Sequence, residues 1–355
     1  MTTSGVLASQ QIAGLIDCGA VRAPALAEGQ VQPASLDLRL GAEAYRVRAS
    51  FLPGAGRRLS DRLSEFEMHR FSLDGGAVLE RGCVYLVPLQ EALALPRGLS
   101  AVANAKSSTG RLDLLTRTVT DGGVEFDRVP DGYDGPLYAE ICPRSFSVLV
   151  RPGMRLNQIR FRAGDAGLDD AGLRALHDAV PLVDGTPLIA DGLGFSVDLR
   201  PAEGDLVGWR AKPHSGVIDL DRIGHYAPRD FWEAIRTTEG RIVLDPGAFY
   251  ILVSREAVTI PPTHAAEMAP YLAMVGEFRV HYAGFFDPGF GHGTPARGVL
   301  EVRCHEAPFA LEHGQVVGRL VYEAMSEVPR TLYGAGIASN YQGQGLKLSK
   351  HFRAP

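Results

Sequence analysis

The chain states one pattern twice. Ala34-Ser35-Leu36-Asp37-Leu38-Arg39 returns 161 positions on as Phe195-Ser196-Val197-Asp198-Leu199-Arg200. Leu79-Glu80-Arg81-Gly82-Cys83-Val84-Tyr85 returns 165 positions on as Leu244-Asp245-Pro246-Gly247-Ala248-Phe249-Tyr250. Leu137-Tyr138-Ala139-Glu140-Ile141 returns as Gly298-Val299-Leu300-Glu301-Val302, again 161 positions on. Anchors kept in order at a nearly constant offset mark a tandem duplication, so the chain is expected to fold as two like domains and any site must be sought twice. The expected domains run over 1–170 and 190–355, with a linker near 165–190.

Composition narrows the classes. With 355 residues, 45% of them hydrophobic, there is enough apolar surface for about two cores. A net charge of −5 argues against a protein that coats nucleic acid. No apolar run approaches the roughly 18 residues of a membrane span. Met1-Thr2-Thr3-Ser4-Gly5 lacks the basic start of a signal peptide. Cys18, Cys83, Cys142 and Cys304 form no CxxC pair, which suggests neither a disulfide framework nor a zinc ribbon. A soluble cytoplasmic protein is expected, with neither nucleic acid nor membrane as partner.

Short apolar runs bounded by Gly, Pro or Asp read as strands: Val84–Val87, Tyr138–Ile141, Phe146–Val150, Phe249–Val253, Val299–Val302 and Val316–Tyr322. With 41 Gly and 23 Pro between such runs, the fold is expected to be mainly β, a barrel or sandwich in each copy. Helices are predicted over Gln10–Asp17, capped by Ser9 and stopped by Gly19, over Asp169–Ala179, and over Pro228–Thr237.

Three motifs carry chemistry. In Lys106-Ser107-Ser108-Thr109-Gly110-Arg111, small hydroxylated residues enter a helical turn between two cations, which suits a phosphate group. A capped helix start with a solvated Lys and Arg is the plain alternative, and the glycine spacing of a P-loop is absent. The second motif is Ala283-Gly284-Phe285-Phe286-Asp287-Pro288-Gly289-Phe290-Gly291, followed by Glu301; the first copy has Val129-Pro130-Asp131-Gly132-Tyr133, followed by Glu140. Asp-Pro-Gly is by itself a turn signature. A glutamate inside an apolar strand is less ordinary: if buried it needs a partner such as arginine, and so held it can act as a general base. The third motif is the tail Ser339–Lys350, with Tyr341-Gln342-Gly343-Gln344 at its centre, either disordered or a flap over an anionic ligand.

Together with the Ser-Xaa-Asp-Leu-Arg opener, these motifs in this order resemble the dCTP deaminase branch of the dUTPase-like superfamily, in its long form where the fold occurs twice. Members read Gly-Arg/Lys-Ser-Ser-Leu-Ala-Arg, then Asp-Pro-Gly, then Leu-Glu, then Tyr-Gln-Gly-Gln. The resemblance covers most of the chain. It implies two tandem distorted β-barrels, a homo-oligomer (a trimer of two-domain chains) with sites at subunit interfaces, and hydrolytic deamination of dCTP to dUTP, the precursor for thymidylate synthesis, with Mg²⁺ on the triphosphate and no zinc. By the same resemblance Glu301 or Glu140 activates water, Ser107 and Arg111 hold the glutamate and the water, and Lys106, Ser107, Ser108, Arg111, Ala283, Asp287, Tyr341 and Gln344 bind substrate. The sequence also lacks the His/Cys-Xaa-Glu and Pro-Cys-Xaa-Xaa-Cys spacing of zinc deaminases.

Each copy departs from the pattern. Val275-Gly276-Glu277-Phe278-Arg279 stands where the second copy should carry Ser-Ser, and Pro130-Asp131-Gly132 replaces Asp-Pro-Gly in the first. A hybrid site is expected, with Lys106, Ser107, Ser108 and Arg111 from one copy and Ala283, Asp287, Glu301 and the Tyr341–Gln344 tail from the other. Competing readings are a dUTPase or a bifunctional enzyme giving dUMP and pyrophosphate, a non-catalytic nucleotide-binding regulator, and a structural barrel whose motifs are only turns.

Overall fold

The computed structural model describes residues 4–270, 278–280, 284–334 and 345–354. It divides into two compact units: Met1–Ala166 with Gly216–Ile223 and Met325–Arg330, and Gly167–Ser215 with Gly224–Ala324 and Thr331–Pro355. Both are mainly β, as the punctuated apolar runs predict. Among the described residues no helix is long and apolar enough to cross a membrane.

In the first unit the longest strands are antiparallel neighbours. Val84–Ala94 pairs with Asp134–Pro143, which pairs with Leu114–Thr120. A second sheet joins Arg155–Ala163 to Leu99–Ala105 and to Leu36–Arg39. Leu36, Leu38, Leu93, Leu137, Ile159 and Phe161 bury their apolar faces in one core between them. The second unit repeats the plan: Phe249–Val258 pairs with Ala296–Cys304, and His264–Pro270 with Val316–Ala324. Phe195, Val197, Leu252, Leu300, Leu320 and Tyr322 fill its core.

The duplication holds at the level of single pairings. Glu140 lies opposite Leu86, and Glu301 lies opposite Ile251; Leu86 and Ile251 directly follow the matched tyrosines Tyr85 and Tyr250. Tyr85 Oη accepts the Glu80 N–H at 3.0 Å, and Tyr250 Oη accepts the Asp245 N–H at 2.7 Å. Sequence kinship here is kinship of register.

The helices depart from expectation in two places. Helix Ser9–Asp17 is capped by Ala8, not Ser9; Gln11 supplies the cap through its side chain, which accepts the Ala8 N–H at 2.8 Å. Gly19, at φ 76°, does stop it. Helix Asp170–Ala179 forms with Asp169 as N-cap, and its Leu173 packs into the second unit's core. The predicted helix Pro228–Thr237 shrinks to Pro228–Phe231, because Trp232–Arg236 is drawn into a strand against Leu206–Ala211. Sheet pairing overrides the local helical spacing there.

His264 opens the strand His264–Pro270, and burial pulls its imidazole below the ordinary 6.5. The unfolded chain therefore takes up this proton at a higher pH than the folded one, so the stability it contributes is present above about pH 6.5 and is lost as pH falls below it. His264→Gln is expected to flatten the pH dependence of the second unit's melting between about pH 7 and 5, read by thermal denaturation in a pH series.

Candidate active site

Lys106–Arg111 links strand Leu99–Ala105 to strand Leu114–Thr120 through the short helix Ser107–Gly110. The N–H groups of Thr109 and Gly110 bond Lys106 O at 2.8 and 2.9 Å, and that of Arg111 bonds Ser107 O at 3.2 Å. The turn thus uses these three donors itself, so they are not available to an anion. Ser107 is half-buried, while Ser108 and Arg111 are buried. Lys106 Nζ is ion-paired with the buried carboxylate of Asp37.

Both strand glutamates are buried, Glu140 at 2% and Glu301 at 3% exposure. Glu140 has the arginine that its burial demands. Arg117, directly across the strand pair, donates from Nε to Glu140 Oε1 at 3.1 Å and again from Nη2 to the same oxygen. The guanidinium is fixed in turn by Ser50 Oγ at 2.9 Å and by the Phe126 ring, 3.6 Å from its centroid. Two residues on, burial foremost pushes the Cys142 thiol up, which disfavours its thiolate.

The glycine-rich turns differ between copies in a way that register makes definite. Phe286 pairs with Ala266, and Val129 pairs with Ala101, the counterpart of Ala266 in the first copy. Pro130 therefore stands where Asp287 stands, and Asp131 comes one place late. The exposed Asp131 accepts the Gly98 N–H at 2.6 Å, which makes it a clamp between two turns. Asp287 is buried, and its turn closes through Phe290 N–H to Asp287 O at 3.0 Å. Gly289 is obligatory here: at φ 96° a Cβ would sit 2.8 Å from Leu332 Cβ and 3.0 Å from Tyr333 N.

Ala283, Tyr341 and Gln344 lie outside the described residues. The end of the tail is docked: Leu348, Ser349, His351 and Phe352 are buried, and His351 O accepts the N–H groups of His225 and Tyr226 at 2.9 and 3.1 Å. Sequence reasoning missed Arg117, whose tie to Glu140 depends on a strand pairing 23 residues apart. It also missed a further carboxylate kept in both copies, Glu91 and Glu256, although Glu-Ala-Xaa-Xaa-Leu/Ile-Pro at Glu91–Pro96 and Glu256–Pro261 was there to be seen. Glu91 holds Arg39, while Glu256 accepts Ser196 N–H at 2.8 Å and its hydroxyl at 2.5 Å. Among the described residues no group of three or more His, Cys, Asp or Glu side chains is arranged to hold a metal ion.

Two register-matched β units, each burying one strand glutamate behind a glycine-rich turn, define a tandemly duplicated β protein. Comparison with known proteins supplies the family. Residues 3–165 match the family model of the 2'-deoxycytidine 5'-triphosphate deaminase N-terminal domain, and residues 169–352 match that of its C-terminal domain. A crystal structure of 2'-deoxycytidine 5'-triphosphate deaminase from Agrobacterium tumefaciens is 55% identical, with a TM-score of 0.89 over 92% of this chain and 100% of that one. A dCTP deaminase from Haloarcula marismortui is 31% identical over 134 residues, 37% of this chain and just under two thirds (66%) of the relative. A dUMP-forming dCTP deaminase from Coprothermobacter proteolyticus is 30% identical over 157 residues, 44% of this chain and 81% of that one. The chain belongs to the dCTP deaminase family of enzymes.

Proposed function

We propose that this chain hydrolyses dCTP to dUTP and ammonia, and that residues of both copies serve the one reaction. The observation that carries this is the complementary loss between copies. The first unit keeps Lys106, Ser107, Ser108 and Arg111 but has Pro130 at the position of Asp287. The lost cradle falls earlier than the expected Val275–Arg279: at the offset that carries Tyr85 to Tyr250 and Ala101 to Ala266, Lys106–Arg111 becomes Tyr271-Leu272-Ala273-Met274-Val275-Gly276, which holds neither a hydroxyl of Ser or Thr nor a cation. The second unit keeps the buried Asp287 and Glu301.

In the proposed reaction Glu301 takes a proton from water as the water oxygen bonds to C4 of cytosine. N3 takes up the proton that Glu301 removed, and the remaining hydroxyl proton passes by way of Glu301 to the exocyclic nitrogen. The C4–N bond breaks, ammonia leaves, and C4 becomes the carbonyl of uracil. Ser107 and Arg111 orient the water and the glutamate. Lys106 and Ser108 bind phosphates, Asp287 and Ala283 the nucleoside, and Tyr341 and Gln344 close the site from the tail. A magnesium ion accompanying the substrate would be held chiefly by triphosphate oxygens and water, since the described residues offer it no cage. The absence of the zinc deaminase signature supports a zinc-independent attack. Family resemblance supports a trimer of two-domain chains working in the cytoplasm.

The second reading is a dUMP-forming enzyme, favoured by the likeness to the dUMP-forming Coprothermobacter relative. Incubating the protein with dCTP and Mg²⁺ separates the two. We expect dUTP and ammonia; dUMP and pyrophosphate would establish the second reading. Nucleotide-induced thermal stabilisation without turnover would leave only a binding regulator.

A further inference from the structure

The Ser-Xaa-Asp-Leu-Arg opener takes no part in the reaction above, yet its aspartate touches the phosphate cradle. Asp37 lies on strand Leu36–Arg39, opposite Gln158, with its side chain 3% exposed. A carboxylate that deep in the protein needs cations. Two supply them: Lys106 Nζ meets Oδ1, and Arg155 Nη1 lies 3.5 Å from Oδ2. Arg155 Nη1 also donates to Glu28 O at 3.2 Å. The two cations keep 23% and 33% of their side-chain exposure, so the carboxylate faces inward while both positive groups reach the surface.

The trio carries one net positive charge. Lysine and arginine this close would repel each other without the anion between them; with it they are held as a preorganised pair. Asp37 takes up one of the three N–H donors of the ammonium, which leaves the group able to bond further acceptors. The second copy sharpens the point. It retains the aspartate as Asp198, but the partners there are Arg297 and His313, the latter 3.4 Å away. Tyr271 stands in the second copy at the position equivalent to Lys106. The aspartate is thus common to both copies, whereas among the described residues the lysine–arginine pair occurs beside the hydroxyl-rich cradle alone.

We propose that Asp37 is a positioning residue that holds Lys106 and Arg155 as a two-cation clamp for the polyphosphate of a nucleoside triphosphate, with Arg155 itself contacting phosphate. This rests on the reading that the chain acts on dCTP. A buried ion triad that only stabilises the fold is the competing account, and the two part on ligand dependence.

Arg155→Gln, at a third-exposed position, is the decisive variant. It should raise KM for dCTP about ten-fold with a much smaller change in kcat, the signature of lost uniform binding. Its affinity for inorganic tripolyphosphate, measured by calorimetry, should fall by a similar factor, while competition by dCMP stays as in the wild type. Arg155→Lys should restore most of the loss. Asp37→Asn should reproduce it if it folds, and if it does not, Arg155→Gln decides alone. Tripolyphosphate and dCTP binding within two-fold of wild type in Arg155→Gln overturns the clamp, as does an equal loss for dCTP and dCMP. A wild-type protein that binds tripolyphosphate through Arg155 but never deaminates dCTP would sustain the clamp and refute only the proposed reaction.

Discussion

Glu301→Gln is expected to lower kcat for dCTP by roughly 10²–10⁴-fold, the usual worth of a positioned general base. The carboxamide keeps the shape of the side chain but cannot take a proton from water, and burying it costs no more than burying the carboxylate. Ammonia release should therefore collapse far beyond any shift in melting temperature. Glu140→Gln is the matched control. Glu140 Oε1 accepts two N–H groups from Arg117, and its copy carries Pro130 in place of Asp287, so a structural role is expected for it. Removing its charge strands a guanidinium pinned between Ser50 and Phe126, so the cost should appear as a lower melting temperature with a far smaller change in kcat. Parallel measurement of ammonia release and melting in both variants separates the roles. Full activity in Glu301→Gln together with lost activity in Glu140→Gln would sink the assignment.

What the sequence made legible, and what it hid, follows from the range of each interaction. The doubled anchors showed the repeat because Asp37 and Asp198, Tyr85 and Tyr250, and Glu140 and Glu301 are identical residues in ordered strings. The inward position of each glutamate was suggested by its recurrence after a glycine-rich turn in both copies, since strand alternation leaves either face open. Arg117 stayed hidden because its link to Glu140 exists only once two strands are in register, and a register is a tertiary property. The segment Trp232–Arg236 misled for the same reason: its apolar spacing permits a helix, and only the neighbouring strand Leu206–Ala211 selects the extended form. The cradle misled more subtly. Three of the backbone donors expected to face a phosphate, those of Thr109, Gly110 and Arg111, close on the turn itself, so Lys106 and its fixing by Asp37 gain importance.

The largest stability effect is expected at Glu91. Its side chain is fully buried, and it serves three donors at once. Oε2 accepts Arg39 N–H at 2.7 Å, and Oε1 accepts Arg39 Nε at 2.7 Å and Gln30 Nε2 at 2.8 Å. Glu91→Ala would leave a buried guanidinium without its counter-charge and orphan a backbone N–H and an amide, a loss of about 3–5 kcal/mol by the usual cost of breaking a buried pair. For a unit of this size that is roughly a 10 °C fall in the first unit's melting temperature. Glu256→Ala is the comparison, since that carboxylate is half-buried and serves only the N–H and hydroxyl of Ser196, both neutral. Its cost should stay near about 1–2 kcal/mol, the worth of hydrogen bonds to a charged acceptor that solvent can partly replace. Melting curves of the two variants should therefore differ by several degrees, with Glu91→Ala the lower. Equal shifts would mean that the buried charge on Arg39 finds relief elsewhere, through Nη1 to Ala25 O at 2.9 Å or through water admitted to the space the glutamate leaves.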